Sequence, residues 1–496
     1  MLPKPRNAMV PAADDLTVAA RISPQDIDGV VQRWSAGSVL AMLVIATAAL
    51  VLRLLGARGD LWLDEIWTFA LLEPLTSIDQ IFWRINHDNN HFLNSAYLYL
   101  IGPNASSLLQ RGLSVALGVG AVLAAGLVAA SRGWRTAIVT SVLFATSYPM
   151  VHYGSEARGY AGLVMFTLLS VLFLERRLDN RGSAIGFAAI VLVGFLSHLT
   201  MAETVVILVA WASWLAWSRT GSLASTNLEV GLIFAPAFLA VLPLAACVLL
   251  GSQVYGFQFG GVSSFSLQTF AQGYGGMIRY LFGLPSLMSD WICIGTACGL
   301  VLVSACLWRD RRTSLYVIGT VGLPLLMAAA HLPNVGFPRY FLVSGTLLLL
   351  VVGELLGRGF QAGGRGFLVS AAALAAMLVG NTSSLLQFYE HGRGSYSRMV
   401  DQMTPNGDST YASGHDLRTG IVVDYFAGRL GRQASLVPAD KMCSQPPDWL
   451  ILEGGAHEQF QYVQPSSSCV LAFERTDAAT AWGFSGIDWT LYRRRD

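Results

Sequence analysis

About eleven stretches of this chain are apolar over the length a helix needs to cross a bilayer, and that pattern constrains the fold more than any motif does. They run at roughly 35–55, 108–130, 136–152, 158–174, 184–199, 201–217, 230–251, 291–308, 314–331, 340–357 and 366–386. A spanning helix needs about 20 mainly apolar residues; the fifth and sixth stretches are short and nearly continuous. Charged residues make up 13% of the chain and hydrophobic ones 53%, where soluble domains carry about 25% charge. The pattern predicts an α-helical polytopic membrane protein. With 32 basic against 31 acidic residues, the charge balance gives no sign of nucleic-acid binding.

Arginines in the short loops set the orientation. One set of loops holds Arg132, Arg135, Arg176, Arg177, Arg181, Arg219, Arg309, Arg311, Arg312, Arg358 and Arg365; the alternate set holds only Arg158 and Arg339. The first set is expected in the cytoplasm. That makes residues 1–34 a polar cytoplasmic tail, residues 35–386 a transmembrane domain and residues 387–496 an extracytoplasmic domain. The tail 1–34 has no apolar core, so the first apolar segment is expected to serve as an uncleaved signal anchor.

Three regions on the outside are large: the loops 56–107 and 252–290, and the C-terminal 387–496. The last turns sharply polar, with strand-like runs TGIVVDYF, DWLILEG and CVLAFE between turn residues. About 110 residues suffice for a small α/β core. Four of the six cysteines, Cys247, Cys293, Cys298 and Cys306, lie in or beside apolar segments, where cysteine behaves as a small hydrophobe. Cys443 and Cys469 lie in the polar region and can form a disulfide if it faces an oxidising compartment. Neither a CxxC nor a zinc-like spacing occurs.

The predicted outer face collects chemistry. The stretch LWLDEIWTFA places Asp64 and Glu65 just after the first apolar segment. INHDNNHFLNS brings His87, Asp88 and His91, HYGSEARGY brings His152, Glu156, Arg158 and Tyr160, and HLPNVGFPRYF brings His331, Arg339 and Tyr340. Ionisable groups at membrane depth are costly and usually mark a functional cavity. A carboxylate can take a proton from an incoming hydroxyl, and arginine can hold a phosphate with paired hydrogen bonds.

WLDEIWT, HDNNHFLNSAYLYL, SEARGYA and PRYF, in that order over residues 35–390, resemble the motif series of GT-C membrane glycosyltransferases. The most similar group holds protein O-mannosyltransferases, aminoarabinose transferases and the galacturonosyltransferases of the lipopolysaccharide core. The resemblance implies a polyprenyl-phosphate sugar donor, attack from the outer side and inversion at the anomeric carbon. It implies that Asp64 is the catalytic base, with Glu65 beside it, and that the Glu-Ala-Arg-x-Tyr element falls on Glu156, Arg158 and Tyr160. The Arg-Tyr element falls on Arg339 and Tyr340. Where many relatives have His-Pro-Pro-Leu, this chain has Asn90-His91-Phe92-Leu93, so acceptor specificity does not carry over.

Each residue also has an ordinary reading. Asp64 and Glu65 can be first-turn charges of an interfacial helix, and adjacent residues do not share a helix face. His87 and His91, four apart, would share one side of a helix; without a clear third ligand no metal is predicted. Glu156 and Arg158 can be a structural ion pair, and Arg339 can reach for headgroups. Arg279, the lone basic residue in its long loop, is a second phosphate candidate. His198 and Glu203 read as loop polar residues.

The expectation is a glycosyltransferase of the inner membrane. Its donor phosphate would be held by Arg158, Arg339, Tyr340 and Arg279. Its pocket would be formed by His87, Asp88, His91, Glu156 and Tyr160, and its acceptor would be a glycan, lipid or lipopolysaccharide. The alternative is a transporter or flippase of a lipid-linked substrate, against which stands the gathering of charge at one face.

Overall fold

The computed structural model describes residues 35–85, 87, 91–256, 258, 260–308, 310–454, 461–463 and 471–495. Every one of the apolar stretches is helical, and among the described residues eight helices are long and apolar enough to cross a membrane. They include Ala36–Gly56, Gly112–Ala130, Met201–Thr220 and Leu223–Tyr255. The last has 33 residues, about 50 Å at about 1.5 Å per residue, and so outreaches a hydrocarbon core of about 30 Å. The helix Gly364–His391 also runs past the expected end of its apolar segment.

The expected span 136–152 is two helices, Trp134–Thr146 and Tyr148–Tyr153, with Ser147 extended between them. Pro149 cannot donate to the preceding turn. The carbonyls left over are taken by Arg53 from the first spanning helix, whose guanidinium donates to Phe144 O at 3.2 Å and Ala145 O at 3.4 Å, and also to Met150 O at 3.2 Å.

The charges between helices sort to two ends of the bundle. At one end Arg312 makes a paired contact with Glu175, both bonds at 2.6 Å, and a third with Glu354 at 2.9 Å. Arg132 reaches Asp310 at 2.8 Å, and Arg311 reaches Asp179 at 2.5 Å. All but Glu354, which lies near the end of the expected span 340–357, come from the loops expected in the cytoplasm. At the other end the first and second large loops meet in a bridge between His87 and Gln258. Asn334 accepts from the Ser263 amide at 2.7 Å there.

The C-terminal region is an α/β unit on that second end. Its strands are β1 (Asp408–Ser413), β2 (Gln433–Leu436), β3 (Trp449–Glu453), β4 (Tyr462–Val463), β5 (Phe473–Ala479) and β6 (Trp489–Arg494). The sheet order is β2-β1-β3-β6-β5-β4, parallel at β2-β1-β3 and antiparallel beyond. One expectation fails. TGIVVDYF is not a strand but part of the helix Asp416–Leu430, because its buried residues Thr419, Val422, Val423, Phe426 and Ala427 recur with helical spacing, not alternation. Cys443 is disulfide-bonded; Cys469 lies outside the described residues.

The α/β unit is fastened to the bundle. Phe69 stacks on Tyr425 with ring centroids 5.9 Å apart, and the Ser397 amide donates to Asp60 at 2.7 Å. The loop before β6 pushes Trp482 and Phe484 among Tyr148, Tyr280 and Tyr153. Gly483, at φ +97°, passes so close to the Tyr148 hydroxyl that any side chain there would overlap it.

Candidate active site

The helix Leu63–Leu72 begins with both acids in its first turn, where the unpaired amides of a helix N-terminus favour negative charge. Successive residues point about 100° apart around a helix, and here that separates two environments. Glu65 turns inward and is fully buried. It accepts from Trp62 N at 3.1 Å, Ala157 N at 2.6 Å, and Arg111 Nε and Nη2 at 2.8 and 2.5 Å. Burial alone would raise this carboxyl, but the Arg111 charge and hydrogen bonds, with Arg393 and the Ala157 amide, hold it below the usual carboxylate range. Arg111 also donates to the carbonyls of Ala57, Arg58, Gly59 and Asp60. The pair therefore stitches the end of the first spanning helix to the acidic turn and to the Ser155–Tyr160 segment, and Glu65 has no opening toward a substrate.

Asp64 turns outward, with 28% of its side chain exposed. Its Oδ2 accepts from Arg158 Nη1 at 2.5 Å and faces Arg339 Nη1 at 3.5 Å. Those partners are 94 and 275 residues away in sequence. Among the described residues its Oδ1 accepts no hydrogen bond. The guanidiniums are 12% and 25% exposed, so one carboxylate and two fixed cations line an opening.

Arg158 is held from behind. Its Nε donates to His91 Nε2 at 3.0 Å, its guanidinium carbon lies 5.1 Å from the Tyr160 ring centroid, and its carbonyl accepts from Ser114 at 3.0 Å. His91 is buried at the N-cap of the helix Phe92–Ile101. Burial first, and then the charge of Arg158, hold its imidazole well below its usual pKa. The neutral ring keeps the lone pair that accepts from Arg158. Tyr160 and His198 stack at 4.8 Å behind it, and His198 lies 4.9 Å from His91. His198, which sequence reasoning leaves as a loop residue, belongs to this cluster.

Glu156 is buried one layer deeper. Trp62 Nε1 donates to its Oε1 at 3.0 Å and Ser485 Oγ to its Oε2 at 3.0 Å. His152 Nε2 sits 2.8 Å from the same Ser485 hydroxyl, and His152 Nδ1 is 3.1 Å from the Tyr148 hydroxyl. Burial is the largest influence on Glu156 and raises its carboxyl pKa against the charges of Arg158 and Arg393. Ser485 comes from the C-terminal unit, so that unit completes the support of the site.

The remaining candidates are placed differently. Tyr160 belongs to the cluster, and Tyr340 is half-buried, its ring centroid 5.9 Å from the Arg339 guanidinium. Arg279, on the helix Leu267–Phe282, pairs with Asp290 at 3.2 Å and donates to Ser286 O and Met288 O. His87 packs edge-on to Trp67 at 4.9 Å; it and His91 do not share a helix as their spacing predicted, because the helix starts only at Phe92. Asp88 lies outside the described residues. Arg111, Arg393, Trp62 and Ser485 are the supporting residues to which sequence reasoning gave no role; Trp62, inside WLDEIWT, and Arg111, a cation at the mouth of an apolar run, left visible traces.

No protein-family model matches this chain, and no curated protein does. Solved structures do. ArnT from Cupriavidus metallidurans in the apo state aligns at 12% identity and a TM-score of 0.55, covering 92% of this chain and 98% of that one. ArnT bound to undecaprenyl phosphate aligns at 13% identity and a TM-score of 0.50 over the same shares. The arabinofuranosyltransferase AftD from mycobacteria aligns at 13% identity and a TM-score of 0.43, covering 91% of this chain and 41% of that one. The architecture of this chain, a polytopic helical bundle with a small C-terminal sheet unit, is thus that of the GT-C fold.

Proposed function

We propose that this protein is an inverting glycosyltransferase that moves a sugar from a polyprenyl-phosphate donor to an envelope acceptor at the outer face of the inner membrane, with Asp64 as general base. The observation that carries the reading is the partly exposed Asp64 carboxylate between Arg158 and Arg339. Two guanidiniums beside this carboxylate offer paired donors and positive charge to the phosphate of a phosphodiester donor. A lipid phosphate is supported further by the likeness to ArnT bound to undecaprenyl phosphate.

In this mechanism the acceptor hydroxyl gives its proton to Asp64 as its oxygen bonds to the anomeric carbon. The bond from that carbon to the phosphate oxygen breaks on the opposite side, and its electron pair leaves with the polyprenyl phosphate. Arg158 and Arg339 hold the departing anion; arginine keeps its charge throughout. Glu65 acts as scaffold to Arg111, and Glu156 positions Trp62. His91 fixes the angle of Arg158, and Tyr160 backs it. Arg279, already engaged by Asp290, would meet the phosphate only after rearrangement.

The site end is assigned to the extracytoplasmic side because the arginine-rich loops gather at the other end. The disulfide at Cys443 fits an oxidising compartment. The test offers the purified chain a panel of radiolabelled polyprenyl-phosphate sugars with an envelope extract as acceptor. One donor is expected to give transfer with inverted anomeric configuration, read by NMR of the product. Retention of configuration would overturn the single-displacement mechanism.

A further inference from the structure

A second opening lies beside the site, where the C-terminal unit meets the first large loop. It is a half-open cavity of about 290 Å³ whose wall includes Asp60, Ser107, Gln110, Tyr425, Phe426 and Arg429. That volume is at the small end of ligand cavities, which run from about 300 Å³ upward. Its chemistry is unfinished. Gln110 is fully buried. Its amide nitrogen is engaged by Pro103 O at 3.0 Å, Gly102 O at 3.3 Å and the Tyr425 hydroxyl at 3.4 Å, while its carbonyl oxygen Oε1 has no partner among the described residues. A buried acceptor left unmet costs about 1–3 kcal/mol, so a donor from outside is wanted there.

The rest of the wall says what carries that donor. Asp60 adds a carboxylate with one oxygen already bonded to the Ser397 amide, Ser107 adds a hydroxyl and Arg429 a guanidinium, while the Tyr425 hydroxyl is spent on Pro103 O. Phe426 and Tyr425 stand with their rings at 90° and centroids 5.1 Å apart. Acceptors for hydroxyl protons, a donor for hydroxyl oxygens and ring faces for C–H surfaces together match a pyranose ring. An anion fits less well: among the described residues Arg429 is the one cation in the wall, with Asp60 opposing any negative guest.

We infer that this cavity is a subsite for a sugar ring of the acceptor, an inference that rests on the transfer reading above and names the acceptor as a glycan or glycolipid. Asp60 and Asp64 are four residues apart, which bounds their Cα separation to about 14 Å. An oligosaccharide held at this cavity can therefore present a neighbouring hydroxyl to Asp64.

The test is direct binding, independent of turnover. The full chain is placed in phospholipid nanodiscs, so that no sugar-headed detergent competes. It is offered the methyl glycosides of glucose, galactose and N-acetylglucosamine under saturation-transfer NMR. At least one glycoside is expected to receive saturation, and to lose it both in Ser107→Trp and in Leu430→Trp, since both residues line the cavity and neither is buried. Asp64→Asn is expected to keep the signal, which separates this claim from the catalytic one. No signal from any glycoside in the intact chain would overturn the inference, as would a signal that survives both filling variants. Displacement of the glycoside by inorganic phosphate would instead make the cavity an anion site and equally overturn it.

Discussion

Adjacent acids with opposite surroundings make a sharp prediction for Glu65→Gln. Glu65 and Arg111 are both 0% exposed, and the carboxylate receives four hydrogen bonds. The amide keeps one oxygen to accept with and turns an NH2 group toward donors. It also leaves the Arg111 charge buried without its partner. Breaking a buried pair from one side costs about 3–5 kcal/mol. Asp64→Asn alters a pair in which the carboxylate is 28% exposed, so water can solvate the groups left behind and the cost is smaller than for the buried pair. Thermal unfolding of the full chain in detergent, followed by tryptophan fluorescence and gel filtration, should show Glu65→Gln melting well below the intact protein and Asp64→Asn melting close to it. The double variant Glu65→Gln/Arg111→Met, which removes the stranded charge, should recover part of the loss. If Glu65→Gln melts with the intact protein, the scaffold role assigned to Glu65 is wrong.

Further outcomes follow from the same geometry. Arg158→Lys keeps the charge but loses the fork that joins Asp64 to His91, and should lower kcat by about 10-fold or more, about 1.4 kcal/mol per factor of ten, in a transfer assay. His91→Gln, which retains an acceptor for Arg158 Nε, should keep more activity than His91→Phe. Because the His91 pKa is depressed, the activity of the intact protein should show no His91 step between about pH 6.5 and 8. The sign is opposite for Glu156. Its carboxyl pKa is raised, so its contribution to stability is greatest below the unfolded value of about 4.3 and is lost as pH rises through the folded value. Comparing melting temperatures across that range, Glu156→Gln should lose less than the intact protein does. Ser485→Ala should leave folding near normal yet lower kcat more than it raises KM, as measured with the purified transferase, since it loosens Glu156 without touching substrate.

The helices were legible because apolar runs of bilayer length admit little else, and the arginine count alone separated the two ends. What the pattern missed had local causes. A single proline, Pro149, broke one span, and Arg53 from another helix healed the break. Valines in TGIVVDYF looked strand-forming, while their burial recurs with helical period. At the site, the sequence brought Asp64, Glu156, Arg158, Tyr160, His91 and Arg339 to one face, but it did not distinguish the exposed acid from the buried one. That division depends on Arg111, whose contacts with residues 57 to 65 span more than forty positions. The role of Ser485 was invisible for the same reason: a serine 329 residues from Glu156 carries no motif.

The measurement that tests the central claim most directly is transfer by Asp64→Asn, beside the intact protein, with the donor that the panel identifies. Both proteins are first matched for monodispersity and melting temperature. Removing a positioned general base costs about 10²–10⁴-fold, so the account predicts a folded variant that binds the lipid donor and has lost transfer by at least about 100-fold. Transfer at the intact rate by a folded Asp64→Asn would contradict it and return the acidic turn to the ordinary work of starting a helix.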